Sequence, residues 1–494
     1  MGLSVYDLLA LRWDHDYYSP HDFQLLAPHI NLDDLQGGFR YGDAQTDDAR
    51  LTLRVIREAV ADGGCAINYV KAGPFLREED QRVGVVLTDQ LTGSTAEVKA
   101  RAVVNATGAW ADNLRKQAGG EAHIRPLRGS HLIFPSWRLP VAQAVSFLHP
   151  VDHRPVFIFP WEGITLVGTT DVDHPASLEA EPQISAEEVA YLMAAVEYQF
   201  PSLTINLDDV VSTFAGVRPV IGTGKLNPSE ESRDHVIWEE NGLITVTGGK
   251  LTTFRLIALD TLKAIRQRIP DMPEPEHDMP VLNQVNHHIP GCEKIGEACR
   301  KRILGRLGAD ALSMVDAAQA GEMENIPGTS TLWAEVRWAA RDEGVCHLDD
   351  LLLRRTRLGL VLTDGARAIL PRVKQICMAE LGWSEAQWQK EEGEYLKLWS
   401  QCYSLPPQAT ITDWKTAIQE AKARRIQRIE NRRREMKRRS TVALVIITLT
   451  AAVTTLVWFH RRQAQEYDRP VINSLPEKEQ KSLHVKLCRV FIIN

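Results

Sequence analysis

The chain reads as an α/β protein with a β-rich domain inserted into it, a helical domain behind it and a transmembrane helix near its carboxyl end. Residues 242–255 (GLITVTGGKLTTFR) join an apolar run of β type to a Gly-Gly break and a polar helix start. Residues 103–112 (VVNATGAWAD) repeat that order, a buried-type strand breaking at Ala-Thr-Gly before a helix. Such breaks at the carboxyl ends of strands are where α/β sheets hold ligands, and a helix start there offers unpaired N–H groups and the positive end of its dipole to an anion. Residues 441–459 run without a single charge.

Length and composition set the frame for these segments. With 494 residues, 44% of them hydrophobic and 24% charged, the chain can fill two or three ordinary globular cores. Its seven cysteines are scattered, with no C-x-x-C spacing, so they read as reduced thiols rather than a disulfide framework or a zinc site. The net charge of −7 is unevenly spread: segment 422–439 is +8 and the tail 440–494 is +3, which leaves −18 on the first 421 residues. A body that acidic excludes nucleic acid as a partner, whereas the basic segment is a local address. It abuts the uncharged run, which as a helix would extend about 28 Å, close to a bilayer core. The positive charges in front of it place residues 1–439 on the cytoplasmic side of the membrane. Asp7, Arg12, Asp14 and Asp16 among the first apolar residues argue against a signal peptide.

The elements follow from local pattern. Thr46 or Asp47 caps a helix carrying Leu51, Leu53, Val55, Ile56, Ala59 and Val60, and Gly63-Gly64 ends it. The apolar run 65–70 and a hairpin of 83–88 with 96–102 come next. From Arg125 to Leu243 strands dominate: 131–135, 156–160, 164–168 and 210–215, with a helix over 186–200 behind Ser185. Residues 271–280 are an acidic, proline-rich linker, 290–400 are mostly helical, and 412–439 form a basic helix.

Four clusters carry candidate chemistry. Arg128-Gly-Ser-His131 places a cation and an imidazole at a strand start. Residues 159–171 close a hairpin ending in Gly168-Thr-Thr-Asp171. Arg218 sits on a turn fixed by Gly216 and Pro219, and Lys250 follows the Gly248-Gly249 pair. A small anionic substrate with an oxidisable carbinol needs cations for its charged end, here Arg218, Arg233 and Lys250. It also needs a base for the hydroxyl proton, here His131. No side chain accepts the electrons, so a redox cofactor is required. Each residue has a plainer reading too: a strand-end histidine serving the fold, a surface ion pair at Arg218, solvated loop charge at Arg233, an Asx turn at Asp171.

The motifs TDDARL (46–51), VNATGAWAD (104–112), RGSH (128–131), PWxGxTLVGTTD (160–171), AGVRP (215–219) and TGGKLTTFR (247–255), in that order, resemble the FAD-dependent, quinone-linked glycerol-3-phosphate dehydrogenases. Segments 333–344, 352–359 and 378–384 resemble that family's helical C-terminal domain. The resemblance implies a flavin-binding fold shared with amino-acid oxidases, and hydride transfer from C2 of sn-glycerol 3-phosphate to FAD. Dihydroxyacetone phosphate is the implied product and membrane quinone the implied electron acceptor. It implies that Arg218 orients the reacting oxygen, that His131 accepts the proton, and that Arg233 and Lys250 meet the phosphate. By the same resemblance FAD lies along Ala106, Thr107 and Gly108, and along Gly248, Gly249, Lys250, Leu251, Thr252 and Thr253.

The implied domains are 1–124 and 244–270 for the FAD-binding part, 125–243 for the substrate domain, 271–289 for the linker and 290–405 for the helical domain. The basic helix (412–439), the span (441–459) and a tail (460–494) complete the chain. One departure stands out: no G-x-G-x-x-G occurs in the sequence, although the family opens with that turn for the FAD pyrophosphate. The FAD-binding domain is therefore expected to be incomplete and FAD to bind weakly. Partners follow as glycerol 3-phosphate, quinone, the lipid bilayer, and either a second copy or a separately supplied N-terminal segment. The rival readings are an amino-acid-oxidase-like flavoenzyme, an inactive membrane-tethered remnant, and one half of a split enzyme.

Overall fold

The structure, a computed structural model, describes residues 2–424 except 12, 34, 79–80, 225–230, 232–233, 286–288 and 293–294; beyond 424 it describes 426–427, 431, 434, 448–460 and 462. The chain divides into two compact units, Met1–Ile418 and Gln419–Asn494.

The first unit opens with α1 (Gly2–Ala10), β1 (Asp16–Tyr18), α2 (Pro20–Leu26) and β2 (Gly38–Arg40), β1 and β2 pairing antiparallel. Asp47 caps α3 (Asp48–Ala61), its carboxylate accepting from the Arg50 N–H at 3.0 Å. An antiparallel sheet of β3 (Val70–Glu78), β4 (Gln81–Asp89) and β5 (Thr95–Lys99) follows. Strand β6 (Val103–Asn105) leads through a 3₁₀ turn (Gly108–Trp110) into α4 (Ala111–Gln117). The expected burial of this strand holds for Asn105 but not for Val104, which is 36% exposed.

The substrate-domain region is one six-stranded sheet. Its strands are β7 (Ile124–Pro135), β8 (Val145–Leu148), β9 (Pro155–Trp161), β10 (Ile164–Gly168), β11 (Val172–Asp173) and, after α5 (Ala186–Gln199), β12 (Ser212–Ile221). The long β7 pairs β12 along one edge and β10 and β11 along the other. Residues 215–219 are thus part of a strand, not the expected turn: Arg218 stands opposite Leu127 and Pro219 opposite Pro126. Among the described strands β12 pairs only with β7, and an edge strand tolerates the N–H that proline lacks.

Alternation along β7 gives the sheet two different faces. Leu132, Phe134, Val156, Ile158 and Val167 pack on α5. Ile133, Ile164 and Leu166 pack instead on the C-terminal helical region. That region contains α7 (Glu297–Leu307), α8 (Asp310–Ala317), α9 (Trp333–Asp342), α10 (Leu358–Val361), α11 (Leu370–Leu381) and α12 (Glu385–Cys402). Before it come β13 (His235–Glu240), β14 (Leu243–Gly248) and α6 (Phe254–Arg266). Strand β14 runs antiparallel to β13 and parallel to β6. Buried ion pairs tie α3 to the helical region: Arg50 reaches Glu343 at 2.7 Å with both side chains under 10% exposed, and Arg357 pairs with Asp47. The described cysteines are free thiols; Cys488 lies outside the described residues.

The second unit corrects the expected membrane anchor. Among the described residues no helix is long and apolar enough to cross a membrane. The described part of the uncharged run, residues 448–459, is helical. Residues 441–447, most of 428–439 and most of the tail lie outside the described residues. The predicted span at 441–459, and the cytoplasmic-side placement that rested on it, are not supported.

Candidate active site

Residue alternation sorts the RGSH segment into two jobs. Arg128 and Ser130 point toward α5, where both reach Glu188, a carboxylate 4% exposed. Arg128 donates from Nε at 3.0 Å and from Nη2 at 2.7 Å, Ser130 Oγ donates at 2.9 Å and Thr170 Oγ1 at 2.6 Å. The Ser185 N–H at 2.9 Å completes the set and closes the capping box of α5. Arg128 therefore serves the fold and is not a cation of the site, contrary to its grouping with His131 in the sequence.

Gly129 and His131 face the other way. Their cross-strand partners on this face are Gly216 and Phe214 on β12, with Gly168 of β10 beyond His131 and Phe157 of β9 beyond that. The His131 ring stacks on Phe214 with centroids 4.4 Å apart. On its other side Gly168 leaves no room to spare: a Cβ there would lie 2.7 Å from Nε2. Nδ1 is buried and makes no hydrogen bond among the described residues. Burial, and secondly the positive charge of Arg218, push the imidazole pKa down from 6.5 to about 3, so His131 is neutral at physiological pH.

Arg218 sits further along this face. Its Nη1 donates to Asp171 Oδ1 at 3.1 Å and its Nη2 to Thr169 Oγ1 at 3.2 Å. The sheet is bare beside it: a Cβ on Gly216 would meet no heavy atom within 4 Å. Past Gly168 the same face opens into a cavity of about 520 Å³ lined by Phe39, Tyr41, Phe157 and Phe159 among others.

Two strand ends meet this surface, since β12 packs against both the Gly108–Trp110 turn and β14. Asn105, 2% exposed, shapes the first of them. Its amide donates to Ala111 O at 2.9 Å and its Oδ1 accepts from Thr107 Oγ1 at 2.7 Å. Ala106 and Thr107 are exposed, and Gly108 has a φ of +59° with open space above it. At the second end Thr247 Oγ1 donates to Gly108 O at 3.4 Å, joining the two turns. Gly248 and Gly249, with φ of +78° and +79°, are demanded by the turn itself: a Cβ would lie 2.7 Å from Asp234 O or 2.5 Å from Ile257 Cδ1. Lys250, Leu251 and Thr252 are exposed, and Thr253 Oγ1 donates to Lys250 O at 2.9 Å.

His131 and Arg218 thus share one face beside two glycine turns. No described contact links Lys250 to either, and Arg233 lies outside the described residues. An orphaned imidazole nitrogen, a glycine-floored sheet and exposed turns at parallel strand ends suit a flat, polar-edged cofactor. The sequence reading missed Glu188 and Phe214, and gave no separate role to Asn105, Gly129 and Gly168 within the motifs it singled out. The register of β7 exposes Gly129, Phe214 and Gly168, the Ser185-x-x-Glu188 capping-box spacing marks Glu188, and Asn105 emerges only from its contacts with Ala111 and Thr107.

The family model of the FAD dependent oxidoreductases matches residues 4–255, half of the chain. The chain belongs to that family. Residues 281–388 match the C-terminal domain of alpha-glycerophosphate oxidase. The aerobic glycerol-3-phosphate dehydrogenase of Bacillus subtilis is 34% identical over 388 residues, covering 72% of this chain and 69% of that protein. The protein of the same name from Staphylococcus haemolyticus is 30% identical over 386 residues, covering 72% and 68%. The glycerol-3-phosphate dehydrogenase of Bacillus halodurans, solved in complex with FAD, superposes with a TM-score of 0.63 at 29% identity, covering 77% of this chain and 79% of that one.

Proposed function

We propose that this FAD-dependent oxidoreductase oxidises sn-glycerol 3-phosphate to dihydroxyacetone phosphate. The observation that carries the reading is the pairing of a neutral, orphaned imidazole at His131 with the Arg218 guanidinium on a glycine-floored sheet face. The names of the relatives supply the substrate. FAD would be held along Ala106, Thr107 and Gly108 and along the turn from Gly248 to Thr253, and when bound it supplies the acceptor for the C2 hydride. Arg218 orients the C2 oxygen and favours the negative charge that grows on it.

His131 takes the hydroxyl proton. Its low pKa makes it a weak base, but a phosphate dianion nearby favours the protonated ring and raises that pKa. Lys250 and Arg233 meet the phosphate. A membrane quinone is the proposed final acceptor, on the family resemblance.

The test is anaerobic mixing of the FAD-loaded chain with sn-glycerol 3-phosphate. Loss of the flavin absorbance with dihydroxyacetone phosphate formed in equal amount supports the reading, and a flavin that stays oxidised refutes it.

A further inference from the structure

Three features outside the roles given above converge on one guanidinium. Asp171, whose side chain is 11% exposed, accepts from Arg218 Nη1, and Thr169 Oγ1 accepts from Nη2. Gly129 forms the notch in which the pair sits: a Cβ there would fall 2.7 Å from both Arg218 Cζ and Thr169 Oγ1 and closer still to Nη2.

The turn that carries the two acceptors is pinned from other directions. Between them, Thr170 points through the sheet to Glu188 and accepts the Ser130 N–H at 2.8 Å. Arg154 Nη1 holds the Asp171 carbonyl at 3.0 Å. A turn held through both Thr170 and the Asp171 carbonyl, presenting a carboxylate and a hydroxyl in fork geometry, sets the direction of the arginine and not merely its charge. Arg218 itself is 35% exposed, so the fold does not depend on burying its charge.

We propose that Thr169, Asp171 and Gly129 are positioning residues that aim the Arg218 guanidinium at the reacting oxygen. This rests on the function proposed above. In chemical terms, the two bonds fix the guanidinium plane before substrate arrives. Its charge then stabilises the oxygen in the transition state without reorganisation.

Two substitutions test this on FAD-loaded protein. Asp171→Asn removes the charge and keeps the shape. Gly129→Ala keeps every charge and donor and crowds the guanidinium out of its notch. Both are expected to lower kcat per bound flavin about 10- to 100-fold, the worth of one misplaced charge-assisted hydrogen bond, with KM nearly unchanged. Thr169→Ser keeps the hydroxyl and is expected to retain kcat, whereas Thr169→Val is expected to lose it.

An unchanged kcat in both Asp171→Asn and Gly129→Ala overturns the proposal. So does a fall accounted for by lost flavin or a lowered unfolding midpoint. Arginine-selective labelling with phenylglyoxal, mapped by peptide, needs no turnover. Arg218 is expected to react faster in both variants, and equal rates overturn the positioning role. Faster Arg218 labelling in both variants, with a wild-type protein that does not oxidise glycerol 3-phosphate, counts against the function and leaves the positioning role supported.

Discussion

Replacing Glu188 with alanine should destabilise the chain by about 4 kcal/mol, because breaking a buried ion pair from one side costs roughly 3–5 kcal/mol. The carboxylate accepts from Arg128, Ser130, Thr170 and the Ser185 N–H, and its own side chain is 4% exposed. Its loss strands the Arg128 guanidinium, 14% exposed, against α5. Half of the capping box goes with it, a contribution of about 0.5–1 kcal/mol that is partly shared with the first. The double variant Arg128→Met with Glu188→Leu should recover much of the loss, since no charge is left unpaired. Urea unfolding followed by far-UV circular dichroism gives the three free energies. A loss below about 1 kcal/mol for Glu188→Ala, or a double variant worse than the single, would refute this account of the sheet's support.

Gly168→Ala should cost about 1–3 kcal/mol and most of the activity, because the added methyl meets a His131 ring already stacked on Phe214; wild-type stability and turnover would contradict it. His131 should also shape the acid limb of stability. Folded, it stays neutral to about pH 3; unfolded, it protonates near 6.5. Between those values the unfolded chain binds more protons, so the contribution is present above pH 6.5 and is lost as pH falls toward 3. Comparing urea midpoints at pH 7.5 and 5 should show a smaller drop for His131→Asn than for the wild type. Lys250→Ala, at an exposed position, should leave stability within about 0.5 kcal/mol and raise KM about tenfold with kcat retained. A KM that does not move removes Lys250 from the phosphate site.

Local signals were legible where one residue decides an element. Of the two residues read as possible caps of α3, Thr46 and Asp47, the second caps it; Ser185 caps α5, and the Gly-Gly pair breaks β14 where expected. Signals that depend on pairing were not. Gly216 and Pro219 look like turn punctuation, yet β12 runs straight through them because its partner β7 is longer still and its outer edge needs no N–H from proline. Arg128 and His131, three residues apart, read as one cluster until pleating sends them to opposite faces. Glu188 is marked in the sequence only as the fourth residue of a Ser185-x-x-Glu188 capping box; its role under the sheet arises from three segments meeting it. The uncharged run at 441–459 fits a span by composition alone, but among the described residues no helix is long and apolar enough to cross a membrane.

Anaerobic titration of the purified chain with sn-glycerol 3-phosphate, after reconstitution with excess FAD, probes the central claim most directly. The fraction of chain that carries flavin is measured first. The flavin that is bound should then bleach with one dihydroxyacetone phosphate formed per flavin, and His131→Asn should slow that step while sparing flavin binding. Bound flavin that sn-glycerol 3-phosphate leaves oxidised, or equal rates in wild type and His131→Asn, would contradict it.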